Sequence, residues 1–118
     1  MASGEFKNAL RGTDEIQITV TGRKSGLEIS NSLWFVEDDD KLHLLPVRGS
    51  DSDWYKNARK TPTIRLVAAG REYSGQAAPI TAPARVQGVV EKFRAKYGAG
   101  EVKRYYSKLD VALEVPLT

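Results

Sequence analysis

Hydrophobic and polar positions alternate along most of the chain. Ile16, Ile18 and Val20 interleave with Gln17, Thr19 and Thr21, the period-2 pattern of a half-buried strand. The alternation resumes from Glu28 to Val36, with Ile29, Leu33 and Phe35 on one face and Trp34 and Val36 on the other. Lys41 to Leu45 reads as a third strand. Two polar turns, Gly22-Arg23-Lys24-Ser25-Gly26 and Asp38-Asp39-Asp40, separate these runs, so the pattern predicts an antiparallel meander. Between Val47 and Asp53 the pattern breaks into a loop containing Gly49. Ser50, Asp51 and Ser52 are all suitable caps for a helix over about Asp53 to Lys60, which Pro62 stops. Ile64, Leu66 and Ala68 then alternate again, and Gly70 turns the chain into a strand from Arg71 to Ala78. From Pro83 the period changes: Val86, Val90, Phe93 and Tyr97 form one helical stripe, which Gly98 and Gly100 end. A short basic helix, Glu101 to Tyr106, and a closing strand through Val111, Leu113, Val115 and Leu117 complete the chain. Pro116 places the end of that strand at an edge. Phe6 and Leu10, four residues apart, allow a short helix in the first ten residues.

About six strands with two or three short helices indicate a mainly β, α+β protein. A closed or half-closed antiparallel barrel is expected, because closure removes the exposed edges that so many strands would present. The helix from Pro83 would plug or flank it; an open sheet with helices on one face is the competing architecture. With no linker, repeat or low-complexity stretch, residues 1–118 read as one domain.

Composition narrows the chemistry. Cysteine is absent, which excludes disulfides, thiolate metal sites and cysteine nucleophiles. His43 is the single histidine, so multi-histidine metal sites are excluded, and with no Gly-x-Ser-x-Gly elbow a serine triad finds no support. It reads as a strand-face residue. Asp38–Asp40 reads as a solvated turn instead of a cation site, since adjacent carboxylates do not converge without a shaped loop. Gly98-Ala99-Gly100 follows a helix and lacks the third glycine of a dinucleotide fingerprint. The net charge of +3 is too small to imply a nucleic-acid partner, and the basic residues from Lys92 to Lys108 read as a charged helix face. No apolar run approaches the roughly 20 residues of a membrane span. Met1–Lys7 lacks the apolar core of a secretory signal, so a cytoplasmic protein without stable membrane insertion is expected.

Two segments invite a functional reading. Gly22–Gly26 packs a guanidinium, an ammonium, a hydroxyl and several backbone N–H groups into five residues, donors that can converge on an anion. A plain hairpin turn with solvated basic residues is the alternative. Arg48-Gly49-Ser50-Asp51 leads into a helix start, a second natural anion seat, where Trp54 and Tyr55 point to different sides. One of these aromatics suits the core, and the other could wall a planar ligand.

Together, Thr19-x-Thr21-Gly22-Arg23-Lys24-Ser25-Gly26, Leu33-Trp34-Phe35-Val36, Gly49, Trp54-Tyr55-x-Asn57 and Pro62 resemble the deazaflavin-dependent nitroreductase family. The resemblance implies a split β-barrel of the FMN-binding, pyridoxamine-phosphate-oxidase-like kind. It also implies a deazaflavin coenzyme of the F420 type, or FMN in relatives, that passes hydride to an electron-poor acceptor such as a quinone, nitroarene or enone. Carried over position by position, Arg23, Lys24, Ser25 and Gly26 would hold the phosphate and acidic tail. Val47, Arg48, Gly49, Ser50 and the helix start at Trp54 and Tyr55 would meet the ring system and its linker. Tyr55, Tyr105 and Tyr106 are candidate hydrogen-bond donors to the acceptor, and no catalytic base is named because hydride transfer needs none. Relatives commonly carry a basic residue where this chain has Ile29 and a proline where it has Ser32, and Arg48 could compensate. A non-catalytic protein holding a flavin, deazaflavin or haem on the same barrel is the alternative reading. Related split barrels pair, which makes a homodimer plausible.

Overall fold

The computed structural model describes residues 2–117; Met1 and Thr118, the ends of the expected 1–118 domain and of the Met1–Lys7 reading, lie outside the described residues. Eight strands form two four-stranded antiparallel sheets, the two halves of a split barrel. In the first sheet, β1 (Ile16–Thr21) lies between β2 (Glu28–Leu33) and β5 (Thr63–Ala68), and β6 (Arg71–Gln76) flanks β5. In the second, β4 (Lys41–Leu44) and β8 (Ala112–Pro116) are central, with β3 (Phe35–Asp38) and β7 (Ala78–Ile80) outside them.

The apolar residues sort into two cores. Ile16, Ile18, Leu42, Leu44, Ile64, Leu66, Leu113 and Val115 fill the space between the sheets. One end of this interior is covered by α1 (Ala2–Arg11), whose Phe6 and Leu10 are buried as their spacing suggests, with the Phe6 ring stacked on Tyr73 at 5.3 Å. The second core lies on the outer face of the second sheet, beneath α3 (Pro83–Tyr97) and α4 (Ala99–Tyr105). Its buried residues include Val86, Val90, Phe93, Val102 and Tyr106. The helix from Pro83 therefore flanks the barrel and does not plug it, and the open-sheet alternative is excluded.

The count of eight strands against six has one physical origin. Glu28–Val36, expected as one strand of a meander, divides at Trp34: Leu33 pairs with Ile16 in one sheet and Phe35 with Leu44 in the other. At this corner the Trp34 ring leaves the barrel and stacks on Tyr97 at 4.3 Å, and the Tyr97 hydroxyl accepts the Phe35 N–H at 3.0 Å. Arg71–Ala78 divides likewise at Ala77, whose N–H donates to the Pro62 carbonyl at 2.8 Å before the chain joins the second sheet. An alternating pattern cannot reveal a corner, because both halves keep the same inward parity. Ile29, expected to share a face with Leu33 and Phe35, is 42% exposed because β2 is an edge strand that reaches the interior only at Leu33. The closing strand is central where it pairs with β4 and β7; only past Glu114, where the β7 ladder stops, does Pro116 stand at a free flank.

Candidate functional site

The β1–β2 turn is a closed unit. The Gly22 N–H donates to the Leu27 carbonyl at 2.8 Å, and the Gly26 N–H to the Gly22 carbonyl at 2.9 Å. Gly26 holds φ +74°, a left-handed conformation that a side chain would strain. The Ser25 hydroxyl accepts the Leu27 N–H at 3.2 Å and so serves the turn itself. Arg23 does not reach outward. Its guanidinium donates to Asn57 Oδ1 at 2.8 Å and pairs with Asp53 Oδ1 at 3.2 Å, both on α2 (Asp53–Lys60). The Arg23 N–H reaches the same Asn57 oxygen at 3.0 Å, and Lys60 Nζ donates to the Arg23 carbonyl at 3.0 Å. These contacts strap the turn to the helix and leave Lys24 as its exposed cation.

The second segment forms a 3-10 turn, Gly49–Asp51, between β4 and α2. Ser52 occupies the cap position of α2, but its hydroxyl accepts the Arg48 N–H at 2.8 Å and caps nothing in the helix. Asp110, from the far end of the chain, fixes the loop: its carboxylate accepts the Ser50 N–H at 2.9 Å and the Ser50 O–H at 2.6 Å. Lys108 adds ion pairs to Asp51 at 3.1 Å and to Asp110 at 3.7 Å, and the Ser107 N–H donates to the Val47 carbonyl at 2.9 Å. Burial by itself would raise the Asp110 pKa, but the Ser50 hydrogen bonds and the Lys108 charge outweigh it and hold the carboxyl below its usual value. A carboxyl with a lowered folded pKa stabilises the fold above the unfolded value, about 3.9, and that stability is lost as pH falls through the folded value. Urea unfolding of Asp110→Asn is therefore expected to show a shallower loss of stability below about pH 4 than the parent. Superimposable acid limbs would count against the clamp.

The two segments meet in one groove. A cavity of about 450 Å³ runs along Ile29, Asn31 and Leu33 of β2 to Val47, Arg48 and Trp54. A second, of about 220 Å³, lies against Gly22–Ser25. Ile29, Asp53 and Asn57 line both, so the cavities adjoin along a shared wall. Of the residues singled out in the sequence, Arg23, Lys24, Ser25, Val47, Arg48 and Trp54 line this groove; Gly26, Gly49, Ser50 and Tyr55 do not. Gly49 and Ser50 pack toward Asp110 and Lys108. Tyr55 lies in the barrel core at 1% exposure with the Arg59 guanidinium 5.9 Å from its ring, and burial pushes its hydroxyl pKa up. Tyr105 and Tyr106 belong to the Trp34 cluster under the second sheet, with Tyr105 4.5 Å from Trp34. Asn57, Asp53, Asp110 and Lys108 were missed as working residues. For Asn57 and Asp53 the four-residue spacing on one helix face was the available signal; for Asp110 there was none, since its contact spans 60 residues.

Other features remain outside the groove. A cavity of about 600 Å³ lies between α1, β3 and α3, and four of its charged residues form pairs, Lys92 with Asp38 and Arg11 with Glu37. There Lys96 Nζ sits 3.5 Å from the Phe35 ring centroid and donates to the Phe35 carbonyl, and burial lowers its pKa. His43 is buried, with Nε2 3.1 Å from Glu114 Oε1 and, among the described residues, no partner at Nδ1. No cluster of three or more potential metal ligands occurs among the described residues, and no described helix is long and apolar enough to cross a membrane.

Residues 8–112 match the model of a family described as an uncharacterized protein conserved in bacteria, DUF2255. The chain belongs to that family. No curated protein matches it. Among solved structures, this DUF2255 member is similar to an F420-H2 dependent reductase, FDR-A, at 21% identity and TM-score 0.67, over 86% of this chain and 93% of that one. It is similar to a pyridoxamine 5'-phosphate oxidase-like protein from Listeria innocua at 11% identity and TM-score 0.70, over 98% and 92%. HutZ, the haem storage protein from Vibrio cholerae, aligns at 12% identity and TM-score 0.71, over 96% and 87%. The likeness is one of fold: the DUF2255 chain is a split barrel of the pyridoxamine-phosphate-oxidase-like type, as the sequence resemblance implies.

Proposed function

We propose that the groove binds a flavin-type coenzyme, a deazaflavin or FMN, and that the protein is a reductase delivering hydride to a small electron-poor acceptor. The supporting observation is the groove itself, which joins an apolar, aromatic-walled trough to cationic side chains. The donor set suits such a molecule. Leu33, Val47 and Trp54 offer apolar surface to a planar ring, Asn31 and Ser32 offer polar edges, and Lys24 and Arg48 offer charge to a phosphate. When bound, the coenzyme supplies the hydride chemistry. The chain's own residues hold and orient it and shield the ring face from water, which explains why an acid/base pair is dispensable. FDR-A, described as F420-H2 dependent, has the same fold and favours this reading.

Non-catalytic haem binding, the second reading, is weaker on one observation. Haem iron is most often held by an imidazole, and His43 lies buried beside Glu114 on the far side of the barrel, not in the groove.

Titrating FMN, riboflavin and F420 while following tryptophan fluorescence tests the site. Lys24→Ala with Arg48→Ala is expected to weaken phosphate-bearing ligands about tenfold, the sum of two exposed charge contacts, and to leave riboflavin unchanged. Protein-dependent reoxidation of the reduced coenzyme by a quinone tests the reductase assignment. Absence of binding, or equal affinities in parent and double variant, overturns the groove assignment; binding without turnover overturns the reductase.

A further inference from the structure

We infer that Asp53 is a specificity-determining residue that restricts the groove to ligands whose acidic end is one phosphate with no carboxylate tail beyond it, by holding Arg23 away from the ligand. The inference rests on the flavin-type reading of the groove and adds to it the charge the ligand can carry. Three cations line the groove, Arg23, Lys24 and Arg48, together with one carboxylate, Asp53, which lines both of its cavities. The Asp53 carboxylate pairs with the Arg23 guanidinium at 3.2 Å, and the Asp53 carbonyl accepts a further bond from it at 3.4 Å. With Asn57 Oδ1 at 2.8 Å, the guanidinium is engaged on the side facing α2, and its charge is paired with Asp53.

Among the described residues, Lys24 and Arg48 then remain as the groove cations without an ion-pair partner, which matches one phosphate dianion. An oligocarboxylate tail beyond that phosphate would find Asp53 in its path and no cation opposite it. Ile29, at the wall shared by the two cavities, offers such a tail no charge either.

Removing the carboxylate should therefore add function, an outcome that damage to the fold cannot imitate. Dissociation constants for riboflavin, FMN and F420 with a polyglutamate tail are measured at 50 and 200 mM salt for the parent and Asp53→Asn, with Asp53→Ser as a second variant that also suits a helix start. The parent is expected to prefer FMN to F420. In Asp53→Asn the affinity for F420 relative to riboflavin is expected to rise by at least about threefold, with a steeper salt dependence, as a freed surface charge allows. In Arg23→Ala with Asp53→Asn the gain is expected to disappear. An unchanged or lower ratio in both Asp53 variants overturns the inference while FMN binding leaves the flavin reading standing. A gain that survives Arg23→Ala also overturns it, because Asp53 would then act without Arg23. If the parent binds none of the three, the flavin reading falls and the inference with it.

Discussion

Replacing Gly49 by alanine is expected to destabilise the protein by roughly 2–5 kcal/mol and to weaken phosphate binding in the groove about threefold, the share of one exposed charge contact. Gly49 is buried at φ +55°, a conformation that costs an L-residue roughly 1–2 kcal/mol. A Cβ there would collide with the Asp110 carboxylate and lie 3.0 Å from both Lys108 Cγ and the Lys108 carbonyl. Those groups cannot retreat without breaking the Ser50–Asp110 and Lys108–Asp51 contacts, and overpacking of this kind costs about 1–3 kcal/mol. The loop would then release Arg48 from the groove wall. Urea unfolding gives the stability change, and an FMN titration gives the binding change in the same preparation. A midpoint equal to the parent's would show that the loop yields without loss, and the clamp would not be what positions Arg48.

The second large effect is expected at the opposite face. Phe93→Ala should remove about 3–5 kcal/mol, enough to lower Tm by on the order of 10–20 °C in a chain of this size. Phe93 is fully buried in the second core, with its ring 5.9 Å from Tyr97 and 6.1 Å from Tyr106. That core is the smaller of the two, so a cavity at its centre has few neighbours able to close it. Because α3 packs on the second sheet while the groove lies against β2 and α2, FMN affinity at low temperature should survive the substitution. Loss of binding without loss of stability would show that the two faces are coupled in a way the packing does not suggest.

The groove was only half legible in the chain. Its cations could be named because they cluster within two short polar segments, and Trp54 because a helix start beside a glycine loop is a recognisable place. Which cations are free could not be read. Arg23 and Lys24 are adjacent and chemically alike, and Asp53 on α2, 30 residues away, decides between them. Tyr55 and Trp54 are likewise neighbours, and the sequence allowed either to face a ligand; the helix rotation on the barrel buried Tyr55 and left Trp54 at the groove.

By itself, the sequence determined the local elements: the periodicities of Ile16–Thr21 and Pro83–Tyr97, the polar residues ahead of Asp53 and the Pro62 stop that bound a helix between them, the break at Gly98, and the exclusion of thiol and multi-histidine chemistry. These are properties of near neighbours, so they survive being read one window at a time. Only the tertiary structure decided where strands change sheets, at Trp34 and Ala77, and which charges remain available in the groove. Both depend on contacts across tens of residues, Trp34 with Tyr97, Arg23 with Asp53 and Ser50 with Asp110, whose energies exist only once the barrel has closed.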